Sequence, residues 1–415
     1  MNTTRPSAAT ATPQGSRFAG VRAVPLRELN ARASRLWTKV GTRFLPFADA
    51  ATVDLPLSRL LRLALFQVSV GMAYALMVGT LNRVMIVELG LSAALVALMV
   101  ALPLLAAPFR ALVGFRSDTH RSSLGWKRVP YLWFGTLLQF GGLSIMPFAL
   151  ILMAPGAQPA IHIPGAGAAA AALAFVLVGF GMQTTQTAGL ALATDMARED
   201  KRPRVVALMY VMLLLGMVAA SGLFSLVLTD FSNTRLVGVV QGAAVLTVVL
   251  NAIALWKQEP RGTVSTADAA HREPFRAAWA RFIGEPRTRR FLVAVGLGTA
   301  AFNMQDIVLE PYGGEILHLS VAATSLLTAV MACGSVTAFA IAARLLQKGA
   351  DPYRLAASGA LVGVVAFVAV VFAAPLDSGL LFRAGNFLLG LGGGLFAVST
   401  LVIAMGLEHA GRAGL

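Results

Sequence analysis

The sequence has only one cysteine and unusually few charged residues. Cys333 lies inside an apolar run, so a disulfide framework is excluded and the cysteine count gives no indication of the redox compartment. Only 13% of the residues are charged, whereas soluble domains carry about 25%. Apolar runs of about 20 residues, the length that crosses a bilayer as a helix, recur along the chain. We therefore predict an all-α polytopic membrane protein.

Groups suited to catalysis are also scarce within the apolar runs. The five histidines all fall in predicted loops or interfaces, and the sequence shows no nucleophile–base set, phosphate loop or pair of carboxylates. The charged residues of the runs are predicted near helix ends: Arg83, Glu88, Asp306, Glu310 and Arg383 at outer ends, and Arg110 at an inner end. We therefore expect no enzyme, and the lack of a buried proton carrier argues against a pump.

Ten apolar runs are predicted to span the membrane. Basic residues set their orientation, because cytoplasmic loops collect Lys and Arg. All but three of the 34 Lys and Arg lie on one side if the N-terminus is cytoplasmic. The net charge of +15 then reflects topology and contact with anionic lipid, and we expect no nucleic-acid partner. The predicted spans are Leu63–Asn82, Leu91–Phe109, Val129–Ala154, Ala168–Thr194, Val205–Thr229, Leu236–Trp256, Phe291–Leu309, Val321–Ala343, Leu355–Pro375 and Ala384–Gly406.

The N-terminal tail, residues 1–60, is predicted to remain in the cytoplasm because no signal peptide opens the chain. Within it, residues 25–44 repeat apolar side chains at helical spacing and place arginines on other faces, which predicts a basic amphipathic helix. Such a helix lies on an anionic membrane surface or packs on the protein's own cytoplasmic face. Contact with a partner's cytoplasmic end is compatible with both.

The polar stretch 257–290 divides the predicted spans into a six-helix bundle, residues 61–256, and a second bundle, residues 291–415. Two bundles joined by a basic linker resemble the plan of the major facilitator superfamily. A weak internal repeat agrees, because the polar segment 344–354 follows the eighth span as 114–128 follows the second. The symmetry leads us to expect two further helices after Leu415, giving twelve.

The loop between the second and third spans resembles the superfamily's conserved motif, in which an Asp and basic residues clamp helix ends on the cytoplasmic side. The loop departs from the usual pattern, because four extra residues separate the Asp from the second glycine. The alternative is an ordinary cationic loop on the cytoplasmic side. The predicted clamp residues are Gly114, Arg116, Asp118, Arg121, Gly125, Lys127 and Arg128.

Small and neutral polar residues occupy the middle of several spans. Glycines crowd the last span, at Gly385, Gly390 and 392–394, and two precede the polar run 183–187. Glycine allows close approach of helix backbones. Helix packing is one interpretation, and a smooth groove for a pigment ring or a partner's helix is the other.

Four stretches of the chain are distinctive: Phe44–Leu57, Thr80–Glu88, Gly114–Arg128 and Val129–Gly142. They resemble the PucC/LhaA family of light-harvesting assembly factors from purple phototrophic bacteria. The light-harvesting 1 branch is matched somewhat better than the light-harvesting 2 branch. The resemblance covers nearly the whole chain from Phe44 on, and the run 114–139 is its most specific part.

The resemblance implies twelve helices and a role in assembling the light-harvesting 1 antenna around the reaction centre. It implies antenna polypeptides, the reaction centre and bacteriochlorophyll synthase as partners, and bacteriochlorophyll, with carotenoid as a further candidate, as cofactor. It also implies a place in the photosynthetic cytoplasmic membrane. The pigment-ligand candidates are His318, His162, Gln183 and Asn386, although both histidines also fit solvated loops. Light-harvesting 2 assembly and secondary transport of an apolar solute are the alternatives.

Overall fold

The computed structural model describes residues 47, 50–52, 55–106, 109–119, 126–154, 165–259 and 284–408, and within these ranges the chain is helical without a β-strand. The amphipathic segment 25–44 and residues 260–283 of the linker lie outside the described residues. The helices are α1 (Leu57–Glu88), α2 (Ala93–Ala101), α3 (Phe109–Thr119), α4 (Val129–Met153), α5 (Ala166–Met196), α6 (Arg202–Val227), α7 (Asn233–Leu255), α8 (Pro286–Asn303), α9 (Leu309–Glu315), α10 (Val321–Gln347), α11 (Pro352–Ala373) and α12 (Gly379–Glu408).

Eight of the described helices are long and apolar enough to cross a membrane: α1, α4 to α7, and α10 to α12. The other two predicted spans are interrupted. In the second run, α2 passes into a 3₁₀ turn, Leu102–Ala106, where Pro103 cannot donate a backbone hydrogen bond. In the seventh run, α8 ends at Asn303 and a 3₁₀ turn, Met304–Ile307, leads into α9. Apolar composition alone does not reveal these breaks.

The long helix α1 is the most buried span, and its winding changes along its length. Its outer part contains two π-helical segments, Ala75–Leu81 and Val84–Glu88. In a π-helix each backbone N–H bonds five residues back instead of four. Because π-helix accounts for well under 1% of residues in proteins, this part of α1 is unusual.

Paired helices in the two halves pack through glycine in the same way. In the first half, a Cβ at Gly181 of α5 would lie 2.6 Å from the carbonyl oxygen of Gly135 in α4. In the second half, a Cβ at Gly392 of α12 would lie 2.7 Å from the carbonyl oxygen of Gly359 in α11. Both pairs therefore need glycine for close approach. In α12, Gly385, Gly390 and Gly394 likewise face neighbouring helix backbones.

The first half is also joined by a buried hydrogen-bond network. Ser69 of α1 donates to Asn251 of α7 at 2.9 Å, and Asn251 donates to Thr136 of α4 at 2.8 Å. The two halves meet where α6 packs along α10. The helix α1 also contacts α10, and α9 lies against both α1 and α10. This two-bundle arrangement confirms the fold class predicted from the sequence.

Candidate functional site

A cavity of about 680 Å³ lies between the two halves. It is bounded by α1, α5, α6, α8, α10 and α12, and it extends from the middle of these helices toward their ends on the side of the basic loops. We call this side the basic end. Phe291 and Leu292, near the start of α8, and Leu401 and Ala404, late in α12, line that part of the cavity.

The wall of the cavity is largely apolar and carries aromatic rings. Phe302 of α8 and Phe396 of α12 pack with their rings tilted by 38° and their ring centroids 5.9 Å apart, and both line the cavity. None of the described residues that line it is Asp, Glu, Lys, Arg or His. A binding surface of this kind favours a neutral, flat and apolar guest.

The polar side chains in the wall are neutral amides and hydroxyls. Among them, Oε1 of Gln183 and Oε1 of Gln305 are buried and accept no hydrogen bond within the described part of the chain. Burying an acceptor without a partner costs about 1–3 kcal/mol. Such atoms therefore mark places where a guest can supply the missing interaction.

The opposite end of the interface is closed by direct bonds between the halves. We call this the closed end, formed by residues 79–83 of α1 and residues 307–328 of the second half. Thr80 and Ser325 share a hydrogen bond at 3.0 Å, and Asn82 donates to the carbonyl oxygen of Ile307 at 2.9 Å. The structure therefore holds the halves together at one end and apart at the other.

Two ionisable side chains take part in the closed end, although the sequence predicted them at outer helix ends. Arg83 is 4% exposed, pairs with Glu88 and donates to the carbonyl oxygen of Leu319 at 3.2 Å. Glu310 is 4% exposed and accepts a hydrogen bond from Thr328. The sequence placed both residues near outer helix ends but did not show that their side chains are buried in the contact between the halves.

On the basic end, Arg128 is the centre of the predicted clamp. It is buried, and its guanidinium donates to Asp195 at 3.1 Å and to Ser117 at 2.6 Å. These bonds join the start of α4 to the ends of α5 and α3. The carboxylate of Glu259, just after α7, accepts from the backbone N–H groups of residues 127–129 at 2.8–3.1 Å. A carboxylate at a helix N-terminus is stabilised by the helix dipole.

The other predicted clamp residues contribute unequally. Gly114 faces Thr187 of α5, Arg116 lies exposed on α3, and Asp118 belongs to the end of the same helix. Lys127 takes part through its backbone, while Arg121 and Gly125 lie outside the described residues. Sequence reasoning did not identify Asp195 and Glu259 as partners of Arg128. Both acidic residues are far from Arg128 in the sequence, and they lie in predicted loops whose excess of basic residues was explained by topology alone.

Three of the four predicted pigment ligands are described by the structure, and they lie apart from one another. Gln183 lines the central cavity, and Asn386 is buried beside Glu310, where it donates to the carbonyl oxygen of Phe382 at 2.8 Å. His318 lies exposed in the turn before α10, with a φ of 50°, and is not among the residues lining the cavity. His162 lies outside the described residues. Within the described part of the chain, no group of three or more His, Cys, Asp or Glu could hold a metal ion.

Comparison with known families and proteins identifies relatives that match most of the chain. The model of the family described as "PUCC protein" matches residues 80–415. Protein PucC of Rhodovulum sulfidophilum is 53% identical, over 91% of this chain and 84% of that protein. A Rhodobacter capsulatus protein described as uncharacterized, in the puhA-bchM intergenic region, is 51% identical over 92% of this chain and 80% of that protein.

A more distant relative is the bacteriochlorophyll synthase 44.5 kDa chain of Rhodobacter capsulatus, which is 28% identical over 85% of this chain and 80% of its own length. Among solved structures, a bacterial homolog of the human lysosomal transporter Spinster aligns with a TM-score of 0.55 and 16% identity, over 83% of this chain and 74% of that one. The nucleoside transporter NupG aligns with a TM-score of 0.53 and 15% identity, over 84% and 86%. At these identities the structures show the fold, which is that of a multi-pass membrane transporter.

Proposed function

This chain belongs to the PUCC protein family, and from that premise we propose that it is a non-enzymatic assembly factor for the light-harvesting 1 antenna around the reaction centre. The observation that carries the proposal is the cavity of about 680 Å³ whose described lining has no charged residue. Such a cavity suits an apolar ligand better than an ionic solute. In this proposal the protein resides in the photosynthetic cytoplasmic membrane with its N-terminus in the cytoplasm.

Bacteriochlorophyll is the guest that we propose for the cavity. Its central Mg²⁺ prefers oxygen ligands, and the amide oxygens of Gln183 and Gln305 are buried acceptors without a bond in the described chain. The phenyl rings of Phe302 and Phe396 offer an apolar wall for the flat macrocycle. The residues present therefore fit the pigment, and a carotenoid is a further candidate for the same apolar surface. When bound, the pigment supplies light absorption, and the protein holds and orients it.

Antenna polypeptides, the reaction centre and bacteriochlorophyll synthase are the proposed protein partners. The clamp around Arg128 fixes the ends of α3, α4 and α5 on the basic end. A fixed arrangement of these ends would present the basic surface, and the predicted helix 25–44, to acidic lipid headgroups or to antenna N-termini.

Deletion of the gene in its host tests the assembly role. We expect loss of light-harvesting 1 absorbance while reaction centres are retained, because the antenna ring needs the factor and the reaction centre does not. Selective loss of light-harvesting 2 would instead assign the protein to that antenna. Normal formation of both rings would contradict the proposal.

Purification of the gently solubilised protein tests the pigment site. We expect an absorbance band of bacteriochlorophyll in the wild-type protein and a reduced pigment-to-protein ratio in Gln183→Leu and Gln305→Leu. Gln241→Leu is the matched control, because Gln241 is exposed on α7 and is not among the cavity residues. Equal pigment content in all four proteins would exclude these ligands.

A secondary transporter of a pigment precursor or another apolar small molecule is the second candidate function. The likeness of the fold to two transporters and the closure of only one end of the interface favour it. Saturable uptake into liposomes without any co-purified antenna subunit or pigment would support transport. Co-purified antenna subunits without uptake would support assembly.

A further inference from the structure

The closed end contains a buried carboxyl that the assembly role does not use. Glu310 lies in the first turn of α9, and its side chain meets groups from both halves. Its Oε1 accepts a hydrogen bond from Thr328 of α10, and Gly79 of α1 lies directly against it. Thr328 is seven residues into α10, which is about 10 Å along the helix. The carboxyl therefore lies well inside the bundle, where ionisable groups are rare and functional.

The backbone of α1 is adapted to this contact. A Cβ at Gly79 would lie 2.5 Å from Oε1 of Glu310 and 2.8 Å from the hydroxyl of Thr328, so no other residue fits without displacement. Gly79 belongs to the π-helical segment Ala75–Leu81. π-helical turns occur frequently at functional sites. Two independent features, the missing side chain and the unusual winding, thus coincide at the point where α1 meets the carboxyl.

We propose that Glu310 is a proton-binding site that couples protonation to the opening of the closed end. A protonated carboxyl is much cheaper to bury than an ionised one. When the carboxyl O–H bond breaks, the proton passes to water and the negative charge stays on the carboxylate. The ionised group then needs hydration, and water reaches it when α1 separates from α9 and α10. Loss of the proton therefore favours the open state, and proton uptake favours the closed state.

The groups around Glu310 leave the carboxyl as the titrating centre. A small cavity beside it is lined from α1 by Tyr74, from α10 by Thr328 and from α12 by Asn386. Tyrosine titrates far above neutral pH, and the other two are neutral. Arg83 of α1 pairs with Glu88, and its side chain packs against Gly314, four residues after Glu310 in α9, so a permanently charged group also faces this helix. Two exposed groups belong to the hairpin of Glu310 itself, Glu315 and His318, and both serve as controls.

Protonation of Glu310 would give the scaffold a proton-driven conformational cycle. In the closed state the cavity reaches the basic end, and in the open state it would reach the other side of the membrane. Protonation of Glu310 would then reset the closed state and make each cycle sensitive to the proton gradient. Proton binding by Glu310 does not depend on the identity of the antenna or the pigment, so it can be tested separately from the assembly role.

Distance measurements between two spin labels test the coupling. The full chain with Cys333→Ser, Ala94→Cys and Ile316→Cys carries labels at two exposed positions flanking the closed end, and it contains no other cysteine. In lipid nanodiscs, we expect the short distance to dominate at about pH 5 and the ratio of long to short distances to rise at least about fivefold at about pH 8. Glu310→Gln, which resembles the protonated carboxyl, should remain closed at both values.

Matched controls and contrary outcomes complete the test. Glu315→Gln makes the same substitution at an exposed carboxylate of α9, and His318→Asn keeps a residue that tolerates positive φ, so both should respond as the wild type does. Unchanged wild-type distances at the two pH values would overturn the proposal, as would a full response in Glu310→Gln. If Glu310→Gln does not fold, Thr328→Val should lower the midpoint pH of opening, because the buried carboxylate loses its donor. An unaltered midpoint would equally overturn it.

Discussion

The two ends of the interface between the halves use polarity in opposite ways. At the closed end, polar side chains of α1 bond to the second half, as Thr80 does to Ser325 and Asn82 to the carbonyl oxygen of Ile307. In the cavity toward the basic end, the amide oxygens of Gln183 and Gln305 accept no bond within the described chain. Because an unpaired buried acceptor is costly, the two amide oxygens that line the cavity are places where a ligand can supply the missing hydrogen bond. The bonded groups of the closed end instead hold the two halves together.

The ion pairs of the two ends differ in a related way. The Arg83–Glu88 pair sits in the contact between the halves, whereas the Arg128–Asp195 pair sits within the first half. Disruption of the Arg83–Glu88 pair should therefore affect both the folding of the protein and the closure of the interface between the halves. Disruption of the Arg128–Asp195 pair should affect the geometry of the basic end while leaving the interface in place.

The largest effect is expected from Arg83→Ala. The substitution removes a buried cation and leaves Glu88 and the carbonyl oxygen of Leu319 without the guanidinium donor. Breaking a buried pair costs about 3–5 kcal/mol. Because Glu88 is partly exposed, we expect the free energy of unfolding to fall by about 3 kcal/mol, at the lower end of that range. The measurement is the apparent midpoint of thermal unfolding in detergent. Arg235→Ala, which breaks an exposed pair with Asp230, is the control, and it should change the free energy of unfolding by less than about 1 kcal/mol. Equal losses would show that the closed end is not a special source of stability.

The next largest effect is expected from Arg128→Gln at the basic end. The variant loses charged hydrogen bonds to Asp195 and Ser117, which should cost about 2 kcal/mol in the same unfolding measurement. Arg198→Gln is the control, because its pair with Asp200 is exposed on both sides. The closed-end label distances should stay unchanged in Arg128→Gln. A shift in them would show that the two ends are coupled through the first half.

A smaller effect, specific to closure, is expected from Gly79→Ala. The added methyl group collides with Glu310 and Thr328, and overpacking of this kind costs about 1 kcal/mol or somewhat more. In a Cys333→Ser chain with Thr80→Cys and Ser325→Cys, the yield of the disulfide across the closed end should fall several-fold. Gly141→Ala is the control, because nothing lies within 4 Å of the methyl group there. An unchanged yield would mean that α1 does not need this close approach.

The smallest effect on stability is expected from Gln183→Leu in the cavity. The change removes an acceptor that has no bond in the described chain, so thermal stability without a guest should stay within about 0.5 kcal/mol of the wild type or rise slightly. A loss comparable with that of Arg83→Ala would show that Gln183 is structural. The contrast drawn between the two ends would then be wrong.

The resemblance predicted the family and the transporter-like fold, and the family model and the solved structures confirm both. The apolar runs also placed the eight long helices. They did not place the interruptions in the second and seventh runs, because apolar composition is the same in a continuous and a broken helix. Arg128, one of the predicted clamp residues, bonds to Asp195 through its side chain and to Glu259 through its backbone N–H. These two partners could be identified only from the fold.

The sequence by itself determined that the chain is a multi-pass membrane protein, because the free energy of transferring apolar residues into lipid depends on composition and length and hardly on tertiary contacts. Only the tertiary structure decided which polar residues are satisfied. Whether Glu310 meets Thr328, or whether Oε1 of Gln183 finds a donor in the described chain, depends on distances of a few ångströms between segments far apart in sequence. No local pattern encodes such distances, and they are what separates the closed end from the cavity.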